Sequence, residues 1–224
     1  MPVTLAFDVY GTLIDTRGVV SKLKDIVGET AEEFSQAWRS KQLEYSFRRG
    51  LMRRYENFAV CTRDALNYTS DFFRVVLTDS QRAGLLDAYR FLPAFEDVKD
   101  SLIDLQTAGF RLCAFSNGAA DSVTELLEAA GVRGYFRAII SVDDVKSFKP
   151  SPDVYAHFLK MTDAAAADSW LISSNPFDVL GALSAGMNSA WVKRSQDAVF
   201  DPWGIAPTLI VGSLRELRAS LTAN

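Results

Sequence analysis

The hydrophobic pattern of the chain changes period twice. Residues 3–7, Val-Thr-Leu-Ala-Phe, make a run too short for a helix and too apolar for a loop, as in a strand covered on both faces of a parallel sheet. After Asp15 the pattern turns helical and stays so to about Phe91. Thr30-Ala31-Glu32-Glu33 reads as a capping box, with Phe34, Trp38 and Tyr45 at helical spacing behind it. Further helices are predicted over 53–67, 70–76 and 80–89. Pro93 breaks the chain and strand-helix alternation resumes. Helices are predicted over 96–107, 119–130 and from Ser151-Pro152 onward, and strands over 112–115, 138–141, 170–172, 190–192 and 209–211.

This order predicts an α/β fold, a Rossmann-like core with a parallel sheet and helices on both faces, interrupted after its first strand by an inserted all-helical cap subdomain. The predicted boundaries are residues 1–14 and 93–224 for the catalytic core and 15–92 for the cap. A lid over the carboxyl edge of such a sheet excludes water from a site there. The length, 224 residues, and the 48% hydrophobic content suffice for a core.

A net charge of −4 with basic residues spread along the chain gives no basic stripe, so nucleic acid is not an expected partner. No leader pattern and no membrane-length apolar run is apparent, so a soluble, cytoplasmic protein without membrane attachment is expected. Cys61 and Cys113 lie in apolar surroundings without metal spacing and read as buried free thiols. The single histidine, His157, falls mid-helix, which leaves acid-base work to carboxylates, Lys or Tyr.

Chemistry gathers at predicted strand ends. An ionised Asp8 where a buried strand runs out must be used or solvated, and the carboxyl edge of an open α/β sheet is where ligands bind. An ordinary strand exit explains Asp8 alone equally well. Gly11 and Thr12 supply a turn and a hydroxyl. Ser116-Asn117-Gly118 closes the strand before the 119–130 helix and offers a hydroxyl and backbone N–H groups to an anion. Lys149 precedes the helix carrying Tyr155, and Ser173-Ser174-Asn175-Pro176-Phe177-Asp178 follows an apolar strand. If these strands are neighbours, Asp8, Ser116, Lys149 and Asp178 converge. Lys149 then pairs with Asp8 and leaves Asp178 as a second acid or base.

These four segments in this order, with helices between the first and second, resemble the haloacid dehalogenase superfamily over essentially the whole chain. The superfamily's phosphatases carry Asp-x-Asp-Gly-Thr and a metal-holding Gly-Asp-Ser-x-x-Asp; here Tyr10 and Ser174 stand in the places of two of those acids. A magnesium-dependent phosphatase or a catalytically silent interaction module are the alternative readings. The altered pattern is similar to the (S)-2-haloacid dehalogenase branch: Asp-x-Tyr-Gly-Thr, Ser-Asn-Gly, Lys-Pro and Ser-Ser-Asn-x-x-Asp.

The resemblance implies hydrolytic dehalogenation of short (S)-2-haloalkanoic acids to (R)-2-hydroxy acids, with no cofactor, no metal and a homodimeric state. It implies Asp8 as nucleophile, Lys149 holding it ionised, Asp178 activating water with Ser173 and Asn175, and Thr12 and Tyr155 orienting Asp8 and Lys149 respectively. Arg39 and Asn175 would receive the halide. Ser116 and Asn117 would hold the substrate carboxylate, and Tyr10, Leu43, Phe58 and Phe177 would shape the pocket. Phe177 replaces a more common Trp, and Ser40 a more common Gln.

Overall fold

The computed structural model describes residues 2–223. In chain order the elements are β1 (Thr4–Asp8), α1 (Val20–Val27), α2 (Ala31–Leu51), α3 (Phe58–Phe72), α4 (Asp79–Ala88), α5 (Val98–Thr107), β2 (Arg111–Ser116), α6 (Ala120–Ala129), β3 (Ala138–Ser141), α7 (Pro152–Thr162), β4 (Ser169–Ser173), α8 (Pro176–Ser184), β5 (Asn188–Val192), β6 (Leu209–Val211) and α9 (Leu217–Thr222). The six strands form one sheet in the order β3-β2-β1-β4-β5-β6, and every pairing is parallel.

Each residue of β1 is buried, because the strand has a neighbour on both edges and packed side chains on both faces. Alternation divides the core. Leu5 and Phe7 join Leu112, Ala114 and Ile172 in one hydrophobic cluster, which continues into the helices between β1 and β2, while Ala6 joins Cys113, Phe115, Leu171 and Tyr155 in another. The chain leaves β1 toward β2 and β3 and returns on the opposite side as β4. That reversal opens a crevice at the carboxyl ends of β1 and β4. Asp8 ends the first strand and Ser173 the second.

The local predictions for the sheet hold to within a residue or two, and those for the helical segment need correction. Thr30 makes no cap: its hydroxyl donates to the Val27 carbonyl within a 3-10 turn. The capping box is at Thr78 and Gln81 instead. The helix expected from residue 53 starts at Phe58, capped by the Asn57 side chain on the Val60 N–H. The helix expected over 70–76 does not form. Ser70 sits in the last turn of α3, and Arg74 at φ 56° turns the chain away.

Both α2 and α3 stop by the same device. The Arg54 N–H donates to the Arg49 carbonyl and the Arg53 N–H to Gly50; likewise Val75 donates to Ser70 and Arg74 to Asp71. Each is a Schellman ending with arginine in the left-handed position that glycine usually takes. Ser151 precedes α7 without a side-chain cap, and Pro152 supplies the first turn. Cys61 and Cys113 are buried free thiols, and His157 lies mid-α7 beside Asp144. Among the described residues no helix is long and apolar enough to cross a membrane.

Candidate active site

Lys149 is the centre of the crevice. It follows β3 by a 3-10 turn, Val142–Val145, and is 1% exposed. Its three N–H groups are all used: Nζ donates to Asp178 Oδ2 at 2.8 Å, to the Phe115 carbonyl at 2.9 Å and to Asp8 Oδ1 at 3.2 Å. Burial opposes its charge, yet the Asp178 and Asp8 carboxylates outweigh burial and hold the ammonium above its ordinary range. The lysine is therefore a fixed cation between two carboxylates.

Those carboxylates have unlike surroundings. Asp178, in the first turn of α8, is 0% exposed, and burial pushes its carboxyl up to about 6 against the opposing pull of Lys149. The Tyr155 hydroxyl donates to Asp178 Oδ1 at 2.7 Å and to the Asp178 carbonyl. Tyr155 thus orients Asp178, where the sequence pointed to Lys149 as its partner. A glycine makes this possible: a methyl on Gly181 would collide with the Tyr155 ring and hydroxyl.

Asp8 is 7% exposed and asymmetrically bound. Oδ2 accepts from Asn175 Nδ2 at 2.7 Å, Thr12 Oγ1 at 2.8 Å and Ser173 Oγ at 3.2 Å, whereas among the described residues Oδ1 takes only Lys149. The turn behind it is pinned. Gly11 has φ 86°, Ser174 Oγ donates to the Gly11 carbonyl, and the Ser174 N–H donates to Thr12 Oγ1. Ser174 serves here as a strut. The Asn175 amide also donates to the Tyr10 carbonyl, so its expected part in receiving a halide requires one of these bonds to be given up.

Arg39 enters from α2, donating to the Tyr10 carbonyl at 3.3 Å and to Gln42 Oε1 at 2.6 Å. Burial lowers its affinity for its proton, while the charge of Asp8 is among the influences holding that proton on. Ser116 is buried and its Oγ accepts the Gly118 N–H; Asn117 Oδ1 accepts the Lys149 N–H at 3.0 Å. These two side chains thus shape the loop and brace Lys149, and they do not cap α6, whose N-cap Ala119 has no side-chain bond.

A cavity of about 560 Å³ is bounded by Tyr10, Gln42, Phe58, Tyr89, Gly118 and Ser122 among others; Asp8, Arg39, Lys149, Asn175 and Asp178 are not in its wall. Tyr10 and Phe58 are in its wall. Leu43 and Phe177 are not; Phe177 packs edge-on against Phe47 of α2, with ring centroids 5.0 Å apart. Burial raises the Tyr10 phenol to about 12, so it stands as a neutral wall.

Sequence reading passed over one supporting pair. Arg194, beyond β5, donates to both oxygens of Asp97 at 2.7 and 2.8 Å and to the Thr12 carbonyl at 2.6 Å. The Ser213 hydroxyl and Leu214 N–H complete the shell of Asp97. This network fixes the loop carrying Thr12. No local pattern marks it, because its members come from four separated segments.

A family model for haloacid dehalogenase-like hydrolases matches residues 3–186. The (S)-2-haloacid dehalogenase of Pseudomonas sp. (strain YL) is 37% identical over 94% of this chain and 90% of its own. Haloacetate dehalogenase H-2 of Moraxella sp. (strain B) is 34% identical over 92% of each chain. The solved structure of L-2-haloacid dehalogenase from Xanthobacter autotrophicus with chloropropionic acid covalently bound superposes at a TM-score of 0.92, with 33% identity and 99% of both chains covered.

Proposed function

The chain belongs to the haloacid dehalogenase-like hydrolase family, and on that premise we propose that it hydrolyses the carbon–halogen bond of short (S)-2-haloalkanoic acids, giving (R)-2-hydroxy acids with inversion. The single observation that carries the reading is the asymmetry of Asp8. Three donors converge on Oδ2 and one contact reaches Oδ1. Oδ1 is the oxygen free to attack carbon, and Oδ2 is already seated where an ester carbonyl would need stabilising.

Oδ1 attacks the halogen-bearing carbon from the face opposite the halide. The new C–O bond forms as the carbon–halogen bond breaks, and the halide leaves with the bonding pair toward Arg39. The substrate carboxylate is received at the start of α6, whose free N–H groups favour an anion and whose Ala119 and Ser122 line the cavity. The helical segment 15–92 acts as a cap that limits water, which would otherwise solvate the nucleophile. Water then attacks the ester carbonyl carbon of Asp8 and gives one proton to Asp178. The acyl C–O bond breaks, the departing alkoxide takes that proton back from Asp178 to leave as the hydroxy acid, and the water's second proton is lost to solvent as Asp8 returns to a carboxylate. Donors from Thr12, Ser173 and Asn175 hold the oxyanion that forms on Oδ2.

The direct test is halide release from (S)-2-chloropropionate with and without EDTA. Release in both, with (R)-lactate as product, is expected. Release abolished by EDTA, or phosphate-ester hydrolysis in its place, would overturn the reading.

The base has its own test. Asp178 must be ionised to take a proton, and burial raises its carboxyl, so ester hydrolysis should rise with pH along an acid limb set by Asp178. That limb should lie below the free enzyme's value, because the ester removes the Asp8 charge that adds to the raise. The Tyr155 bond favours ionised Asp178. Tyr155→Phe should therefore move the acid limb of single-turnover hydrolysis to higher pH, and an unmoved limb would remove Asp178 as the base.

A further inference from the structure

Gln42 of α2 is a buried amide (0% exposed) for which the proposed chemistry has no role. It lies between Arg39 and Thr62 of α3. Gln42 Nε2 donates to Thr62 Oγ1 at 2.5 Å, Thr62 Oγ1 donates to the Phe58 carbonyl at 2.9 Å, and Gln42 Oε1 accepts from Arg39 Nη1 at 2.6 Å. Proton counting orders this chain. The Thr62 hydroxyl has one hydrogen, spent on Phe58, so it presents a lone pair and must face the Gln42 NH2. The Gln42 carbonyl is thereby turned toward Arg39, which can only donate.

Thr62 is itself held from a second side, since the Trp38 indole N–H donates to its carbonyl at 2.9 Å, and Trp38 packs against Tyr89. The guanidinium is thus gripped at Nη1 by Gln42 and at Nη2 by the Tyr10 carbonyl. Two fixed acceptors define a plane for a group that would otherwise rotate on a flexible stem. Neither acceptor is a charged carboxylate, so the positive charge is oriented without being neutralised.

We propose that Gln42 and Thr62 are positioning residues for Arg39, forming a relay Phe58 O–Thr62–Gln42–Arg39 that aims the guanidinium at the departing halide and sets how strongly turnover depends on the leaving group. This rests on the functional reading above. A misaimed guanidinium penalises a poor leaving group more than a good one. Chloride gains more than bromide from electrostatic help, because its bond to carbon is stronger and more charge must build on it.

The test compares rates with (S)-2-chloropropionate and (S)-2-bromopropionate for the parent, Gln42→Leu, Thr62→Val and Thr62→Ser, with thermal melts alongside. In Gln42→Leu, chloride turnover should fall about ten- to a hundredfold, the size of loss that misplacing a catalytic group brings, and bromide turnover distinctly less, so the bromide-to-chloride ratio rises. Thr62→Val should raise the ratio in the same direction, and Thr62→Ser, which keeps the hydroxyl, should return it toward the parent. A purely structural role would lower both rates together and leave the ratio unmoved.

If Gln42→Leu fails to fold, Thr62→Val decides alone, and an unchanged ratio there overturns the relay. A parent active on both substrates with unmoved ratios in the variants removes the relay and leaves the function standing. A parent that releases no halide overturns the function, and the relay's role in turnover with it.

Discussion

Asp8→Asn should abolish halide release, with kcat falling by about ten-thousandfold or more, the order of loss when a nucleophile is removed. The amide is nearly isosteric, and its oxygen can still accept from Thr12, Ser173 and Asn175. Its NH2, however, would face the Lys149 ammonium where Oδ1 now accepts. Lys149 keeps Asp178 and the Phe115 carbonyl, so the fold should survive and the loss should be chemical. Single turnover of the parent in 18O-labelled water sharpens the result. The label should enter the Asp8 side chain first, because water attacks the carbonyl carbon of the ester. A product hydroxyl labelled directly from solvent in that first turnover would rule out the ester.

Lys149→Met should cost both fold and activity. The lysine is 1% exposed and bridges two carboxylates, one of them fully buried. Removing one partner from a buried ionic cluster leaves unpaired charge, which costs about 3–5 kcal/mol. Asp178 already lies above its ordinary range through burial, and without the lysine it rises further. A carboxyl raised in the folded state binds a proton there more readily than in the unfolded chain, so the folded state loses ground as pH increases. The gap in melting temperature between Lys149→Met and the parent should therefore be wider at pH 8 than at pH 5. An equal gap at both would mean that the lysine serves as packing. Turnover should fall with stability, since neither carboxylate keeps its setting.

The sheet and the polar strand ends were legible in the sequence because both arise from local rules. Buried parallel strands read as short apolar runs, and an Asp, Ser or Lys just beyond them has few reasons to be there. Convergence of Asp8, Lys149 and Asp178 follows from the strands being neighbours, and Lys149 bonds both carboxylates. The helical segment was less legible because its stop signals are disguised. Arg53 and Arg74 take the left-handed position usually held by glycine, so the helix expected over 53–67 lies at Phe58–Phe72 and the one expected over 70–76 is absent.

What the chain's linear order hides is partnership between side chains. Tyr155 turned out to serve Asp178, because Gly181 on α8 admits its ring. Asn117 braces the Lys149 backbone, across 32 positions of sequence. The Arg194–Asp97 pair that steadies the Thr12 loop spans 97. Such contacts depend on where helices cross, which no periodicity encodes.

The groups around Asp8 come from β1, β4 and the loops following β1, β3 and β4, whereas Arg39 alone among the proposed reacting groups arrives on α2. The two half-reactions consequently answer to different parts of the chain. On the proposed mechanism, ester formation draws on the long helix through Arg39, while ester breakdown draws on the sheet edge and on Asp178 of α8. A perturbation that loosens the helix should therefore slow the charging of the enzyme more than its discharge, so that less covalent species accumulates at steady state.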